Sequence, residues 1–313
     1  MRKILLLDMD GTITPPRGQI SQEMISCLLG ACRRIEVGIV SGSDFDYIYE
    51  QCGRQFVESG IAASIILMPC NGTKVYKYDP DKGAYEQTYG VMMREQMIAG
   101  SFRKLLIEII KAQAEILEST DISASGRFIA DRGSTLNWCF IGRDCTKDER
   151  LRYSEREDKD SLRHSAIEMV KKNLSGKMVA QLEFALGGQT SIDIFPKGWD
   201  KTFALIHFPN YKSWFIGDKC EDGENDSHLY NLLSEFGRAF KTKSPEKTIE
   251  IIDMIVDDVI SDLNVYKSFS KIEEDFFKSE PNYTNQQKCD EEVVTKRNVI
   301  KRIIDSIKDY WYN

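Results

Sequence analysis

Asp8 and Asp10 stand one residue apart where the apolar run Lys3 to Leu7 ends in the Gly11-Thr12 loop. Two carboxylates at the end of a buried strand are costly unless a cation neutralises them. The one-residue gap turns both toward the same mouth once the strand has ended. A hard divalent ion suits such oxygens, and Mg²⁺ typically keeps waters and one or two carboxylates beside a substrate phosphate. Asp218 follows a second apolar run, Ser213 to Ile216, and offers a third carboxylate. A lone aspartate at such a place reads as a helix cap or loop residue; the set together reads as a site. An aspartate placed against phosphorus can attack it and form an aspartyl phosphate. A second can protonate the leaving oxygen and later deprotonate the acceptor. Lys201, in Trp199-Asp200-Lys201, has the charge to steady a transferring phosphoryl group, although a lysine by itself is usually a solvated surface charge.

The elements that must position these residues follow from the pattern around them. Lys3 to Leu7, Ile35 to Val40, Ile65 to Met68 and Ser213 to Ile216 each end in a polar or glycine-bearing cluster. Continuous apolar runs of this length suit strands of a parallel sheet covered on both faces. Helical spacing around Met24, Ile25, Leu28 and Leu29, and again over Tyr47 to Phe56, separates them. This predicts an α/β, doubly wound, Rossmann-like core. Ligands of such sheets sit beyond the carboxyl ends of the strands. There lie Asp8 to Thr12, Ser41-Gly42-Ser43-Asp44, Cys70-Asn71-Gly72 and Gly217-Asp218-Lys219.

The middle of the chain has a different rhythm. After Tyr76 to Gly83 a long helix is predicted over Glu95 to Glu118, then alternating segments at Arg127 to Asp131, Thr135 to Ile141, Gln181 to Leu186 and Ser191 to Phe195. Period-two alternation indicates an antiparallel sheet with one open face, and Leu162 to Leu174 has helical spacing. This α+β region is predicted to be a cap domain inserted between the third and fourth core strands. The division is a core over residues 1–79 and 198–246, a cap over 80–197, and a helical C-terminal extension over 247–313. In the extension Ile252, Ile255, Val259 and Leu263 fall at helical spacing, as do Val299, Ile303 and Ile307, around a polar linker from Ser279 to Asp290.

Composition narrows the function class. The 313 residues carry a formal net charge of −7, which argues against a nucleic-acid binder. A local cation cluster or metal can still hold a phosphorylated metabolite. The eight cysteines form no C-x-x-C pair and read as free thiols in a reducing compartment. The apolar start is broken by Asp8 and Asp10 before a signal-peptide core is complete, and no run reaches the roughly 20 residues of a membrane span. A cytoplasmic enzyme without membrane contact is expected.

Asp8-Met9-Asp10-Gly11-Thr12 resembles the D-x-D-G-T signature of the haloacid dehalogenase superfamily. The serine cluster, Lys201 and Gly217-Asp218 with Asn225-Asp226 match its remaining motifs in order. Longer stretches are similar to the eukaryotic-type phosphomannomutase family: DMDGTITPPR from Asp8, GIVSGSDF from Gly38, NWCFIGRDCTKDER from Asn137, GGQTSIDIFPKGWDK from Gly187 and FIGDKCEDGEND from Phe215. The likeness runs from Met1 to about Pro245. It implies Asp8 as nucleophile and Asp10 as general acid/base, with Mg²⁺ held by Asp8, the Asp10 main-chain carbonyl and Asp218, and with Asn225 and Asp226 nearby. It places Arg17, Arg132, Arg143, Arg150, Ser191 and Asp193 where the family grips the sugar phosphate, with Ser41, Ser43 and Asn71 at the core loops. It implies interconversion of mannose 6-phosphate and mannose 1-phosphate with a hexose 1,6-bisphosphate activator, supply of activated mannose (GDP-mannose), and a homodimer through the cap. Bidentate arginines suit a phosphate, and Ser191 and Asp193 share the strand face opposite Ile192 and Ile194.

The pattern departs in places. Ser41 stands where a glycine is common in the family, so either Ser41 or Ser43 is the phosphate contact. Cys70 replaces a usual acidic residue, and Ser227 to Ser234 lacks the Thr-Asp-Pro pattern of an additional ion site. A sugar-phosphate phosphatase of the same superfamily and a non-catalytic sugar-phosphate scaffold are the alternatives. The cap arginines favour the mutase, which needs a second phosphate site.

Overall fold

A computed structural model describes residues 2–187 and 190–278. They divide into two compact units, Arg2–Val256 and the residues from Asp257 onward. The chain order is β1 (Arg2–Leu7), α1 (Gln22–Ala31), β2 (Glu36–Val40), α2 (Phe45–Ile48), α3 (Arg54–Glu58), β3 (Ile65–Met68), β4 (Lys74–Asp79) and β5 (Ala84–Gly90). There follow α4 (Met93–Gln96), α5 (Ser101–Ser119), β6 (Ile129–Asp131), β7 (Leu136–Cys139), α6 (Lys147–Asp160), α7 (Leu162–Lys172), α8 (Gly176–Gln181), β8 (Leu182–Gly187) and β9 (Ser191–Pro196). Last come β10 (Tyr211–Gly217), α9 (Ser227–Ser234), β11 (Ala239–Lys241) and α10 (Pro245–Lys278).

The larger sheet is seven-stranded, in the order β11-β10-β1-β2-β3-β4-β5. β1 pairs in parallel with β10 on one side and β2 on the other. Ile4 to Leu7 are fully buried because both faces of the strand are covered. From β1 the chain builds toward β2 and β3, whereas β10 and β11 add on the opposite side. That reversal between β1 and β10 is the topological switch point, where open α/β sheets bind ligands. Asp8 and Asp218 both sit just past it.

Two elements differ from the expected pattern. A hairpin, β4 and β5, lies between the third parallel strand and the cap and extends the core sheet antiparallel through Leu67 opposite Tyr76. The expected cap boundary at residue 80 falls in its turn, Pro80 to Gly83, where Gly83 takes a φ of 64°. These half-exposed strands, β5 at the sheet edge and β4 next to it, show no clear apolar run, so the pattern did not announce them. The expected helix over Glu95 to Glu118 is two helices: α4 ends where Met97 turns extended, and Gly100, at a left-handed φ of 83°, leads the chain into α5.

The second sheet is antiparallel, in the order β6-β7-β9-β8. Leu105 and Ile109 of α5 and Ile167 and Val170 of α7 join Trp138, Ile192 and Ile194 in one buried cluster. The opposite strand face, with Asn137 aligned to Asp193, is left for polar side chains. α10 buries Ile251, Ile252 and Ile255. The expected linker from Ser279 and the expected helix over Val299, Ile303 and Ile307 lie outside the described residues. No helix among the described residues is long and apolar enough to cross a membrane.

Candidate active site

Asp8 is nearly buried, and its main-chain N–H donates to the Ile216 carbonyl at 2.9 Å, tying the ends of β1 and β10. Its Oδ1 accepts from the Lys201 ammonium and its Oδ2 from the Thr12 hydroxyl at 3.3 Å. Lys201 is fully buried and also donates to Asp226 Oδ1. Burial works against its charge, but Asp226 and Asp8 outweigh burial and hold the ammonium protonated, above its ordinary value. One ammonium thus bonds to two carboxylates while a third, Asp218, stands close by, and the surplus negative charge shows in Asp218 and Asp226. Burial, followed by the Asp8 charge, pushes Asp218 up to about 6 and raises Asp226 as well.

Oxygens of Asp8, Asp218 and Asp226 all lie within 4.8 Å of one another, which fits a divalent ion. Their availability differs. Asp218 Oδ1 is buried with no hydrogen-bond partner, the mark of an oxygen awaiting a cation. Asp226 is already committed, Oδ1 to Lys201 and Oδ2 to the Lys219 N–H at 3.1 Å. Its geometry suits orienting Lys201 more than direct ligation. Asn225 is exposed. Gly11 has a φ of 82°, and a Cβ there would run into the Asp218 carboxylate, so the loop after Asp8 approaches the far carboxylate only as glycine.

Asp10 turns its carboxylate elsewhere. Oδ1 accepts from the Arg17 main-chain N–H at 2.9 Å and from the Tyr47 hydroxyl at 3.0 Å. The Arg17 side chain is exposed. At the end of β2, Ser41 Oγ accepts from the Ser43 N–H at 3.1 Å, so both serines belong to one tight loop. Asn71, with a φ of 63°, sends its amide to the Trp199 carbonyl at 3.1 Å. That bond ties the core loop to the segment returning from the cap and leaves its amide nitrogen engaged in structure.

The cap presents a polar network from its open face. Asn137 donates to Ser191 Oγ at 3.0 Å and to Asp193 Oδ1 at 2.7 Å, and its Oδ1 accepts from Arg143. Burial and the neighbouring Arg132 guanidinium push Arg143 below its ordinary value, a pairing that an anion would relieve. Arg132 reaches out of the cap: its Nη1 donates to the Gly42 carbonyl at 3.0 Å, and its buried Nε has no hydrogen bond and lies 3.8 Å from Asp44. Arg150 is held apart, by Thr190 Oγ1 at 3.0 Å and Cys145 Sγ at 3.2 Å. The sequence reading did not single out Tyr47, Asn137 or Thr190. The parity of β7 against β9 places Asn137 beside Asp193, whereas Tyr47 carried no signal beyond helical spacing.

A mostly parallel sheet that gathers Asp8, Asp218 and Asp226 around a buried lysine at its switch point, under an inserted cap, is a haloacid-dehalogenase-type fold. IMP-bound, N-terminally truncated IMP-nucleotidase of Plasmodium falciparum shares it at a TM-score of 0.55 and 13% identity, over 82% of this chain and 68% of that one. The family described as eukaryotic phosphomannomutase matches residues 24–258. Phosphomannomutase 1 of Mus musculus is 31% identical over 261 residues, covering 80% of this chain and 90% of its own. Phosphomannomutase 2 of Dictyostelium discoideum is 30% identical over 254 residues, covering 80% and 95%. The chain belongs to the eukaryotic phosphomannomutase family, a family of isomerases.

Proposed function

We propose that this chain interconverts mannose 6-phosphate and mannose 1-phosphate through an aspartyl phosphate at Asp8 and a hexose 1,6-bisphosphate. The observation that carries this reading is the pairing of two anion-suited clusters in one unit: Asp8, Lys201 and Asp218 at the sheet edge, and Arg132 and Arg143 in a cap whose Arg132 bonds to the Gly42 carbonyl of the core. A phosphatase needs only the first cluster. A mutase must hold one phosphate while the other reacts.

In the proposed cycle Asp10 takes the proton of a hexose-phosphate hydroxyl as its oxygen attacks phospho-Asp8. The phosphorus–Asp8 bond breaks and the bisphosphate forms. After the bisphosphate turns over, Asp8 attacks its other phosphorus and Asp10 returns the proton to the departing sugar oxygen. Lys201 neutralises charge on the transferring group. Arg17, Arg132, Arg143, Arg150, Ser191 and Asp193 hold the distal phosphate and sugar hydroxyls, and Ser41 or Ser43 the reacting phosphate. Asp8, the Asp10 carbonyl and Asp218 would hold Mg²⁺, with Asp226 and Asn225 supporting them; bound there, Mg²⁺ would neutralise phosphate oxygens as a Lewis acid.

Phosphorus NMR tests this directly. Mannose 1-phosphate and Mg²⁺ should yield mannose 6-phosphate only when glucose 1,6-bisphosphate is added. Release of inorganic phosphate alone would make the chain a phosphatase. Arg143→Ala should raise KM for the hexose phosphate roughly 10- to 150-fold, the equivalent of one charge-assisted pair. Steady-state kinetics showing an unmoved KM would remove Arg143 from the substrate site.

Metal binding should depend on pH. Asp218, lifted from 3.8 to about 6, must lose its proton to accept Mg²⁺. Affinity by calorimetry should therefore fall roughly tenfold per unit below about pH 6. Metal-free protein runs the other way. A carboxyl raised in the folded state stabilises it fully below the unfolded value and loses that contribution as pH rises through about 6. Melting temperature in EDTA should rise on acidification from pH 7 toward 5, and saturating Mg²⁺ should flatten the trend. An affinity that does not vary between pH 5 and 7.5 would exclude Asp218 as a ligand.

We place the protein in the cytoplasm, where supply of activated mannose requires this reaction. Cys27, Cys32, Cys52, Cys70, Cys139, Cys145 and Cys220 are all free thiols, which accords with a reducing compartment. A homodimer through the cap is supported by the exposed Ile98, Ile107 and Ile110 beside and along α5.

A further inference from the structure

Both donors to the Asp10 carboxylate converge on one oxygen. The Arg17 N–H at 2.9 Å and the Tyr47 hydroxyl at 3.0 Å each bond to Oδ1. A protonated carboxyl has one carbonyl oxygen, which accepts, and one hydroxyl oxygen, which donates. Two donors fixed on Oδ1 make it the accepting oxygen in either protonation state, so the proton resides on Oδ2.

The fold holds these donors firmly. The Tyr47 backbone N–H bonds to the Asp44 carboxylate at 3.2 Å as α2 begins. Two residues beyond Tyr47 the helix widens into a π-helical segment, Tyr49–Gly53, an irregularity that recurs at functional sites. Arg17 delivers its N–H only by adopting a left-handed φ of 59°, uncommon for a residue with a side chain. A left-handed backbone at Arg17 and a tyrosine anchored in the first turn of α2 thus meet at one carboxylate oxygen.

We infer that Tyr47 is a positioning residue for proton transfer, its hydroxyl holding Asp10 Oδ1 so that Oδ2 carries the proton to and from the sugar oxygen. This rests on the mutase reading of Asp8 and Asp10. As the enzyme is phosphorylated, an Asp8 oxygen bonds to phosphorus and the bond from phosphorus to the sugar oxygen breaks. The Oδ2 proton passes to that departing oxygen, leaving Asp10 a carboxylate; the reverse reaction restores it. Without the phenol only one donor remains and the carboxyl can rotate. A misplacement of about 1 Å costs on the order of 100-fold.

The leaving group separates positioning from packing. Tyr47→Phe keeps the ring and removes only the donor. Single-turnover phosphorylation of the full chain in Mg²⁺ would be followed with two phosphoryl donors. Glucose 1,6-bisphosphate expels a sugar oxygen that needs a proton; p-nitrophenyl phosphate expels a phenolate that does not. The expected result is a roughly 10- to 100-fold slower rate with the bisphosphate, under about threefold with the aryl phosphate, and half-saturating concentrations within about twofold. Added to Asp10→Ala, the substitution should slow neither donor further. Equal losses with both donors would overturn the inference, since a disturbed site slows both, as would an unchanged bisphosphate rate or an additive loss on Asp10→Ala. Wild-type protein phosphorylated by neither donor would instead overturn the mutase reading and the inference with it, and that outcome is visible before any variant is made.

Discussion

Asp8→Asn is expected to abolish hexose-phosphate interconversion, lowering the rate roughly 10⁴-fold or more, while the protein stays folded. The amide matches the carboxylate in size; its oxygen can still accept from Lys201, and its NH2, standing in for Oδ2, can donate to the Thr12 hydroxyl oxygen. It lacks the anionic oxygen that bonds to phosphorus. Stability should hold because the loss is balanced. Lys201 gives up one of two buried carboxylate partners, but Asp218 is relieved of the Asp8 charge that helps push it up to about 6. Relieved of that charge, Asp218 should titrate at lower pH in the variant. Two measurements check this. Wild-type protein incubated with labelled glucose 1,6-bisphosphate should acquire a label that hydroxylamine removes, as it does acyl phosphates, and the variant should acquire none. Thermal melts should agree within a few degrees. Activity retained above about one part in a hundred would place the nucleophile elsewhere and remove the aspartyl phosphate from the cycle.

The legible parts of the chain are those where burial is complete. Ile4 to Leu7 and Trp214 to Ile216 read as core strands because covering both faces leaves no polar position to blur the run. Asp8 and Asp218 were legible for the same reason: carboxylates directly after such runs demand a partner. The hairpin was not. Tyr76, Lys77 and Tyr78 lie toward the sheet's far edge with mixed exposure, and their pattern suits a loop as well as a strand. Gly100 has the look of any glycine in a helical stretch, yet an extended Met97 and its own left-handed backbone together divide α4 from α5. Tyr47 was hidden for a different reason. Its partner is 37 residues away across the sheet edge, and only the fold brings the phenol to Asp10. Asn71 shows the converse. It sits where a ligand contact is expected, yet its amide nitrogen is engaged by the Trp199 carbonyl, as a buried donor must be engaged by something.

Lys201→Met should be the most destabilising single change near the site, by about 3–5 kcal/mol at neutral pH, the usual cost of removing one partner from a buried ion pair. Methionine fills much the same volume, so the loss is electrostatic and not a cavity. Asp8 and Asp226 would be left side by side without the ammonium that now bonds to both, and Asp218 stands close by. Such carboxylates respond by taking up protons, which sets the pH dependence. The values of Asp226 and Asp218, already raised in the folded state, would rise further, so the stabilisation is present at low pH and lost as pH rises through the raised values. The gap in melting temperature between wild type and variant should therefore widen from pH 5 to pH 8. Added Mg²⁺ should narrow it, because a divalent cation supplies part of the missing charge. Turnover should also drop, by roughly 10²–10³-fold, since no fixed cation meets the transferring phosphoryl group. The two losses can be separated by assaying at a temperature well below the variant's melting point. A gap in melting temperature that stays constant across pH would mean the carboxylates are compensated by another group, and Lys201 would then be a packing residue that happens to carry charge.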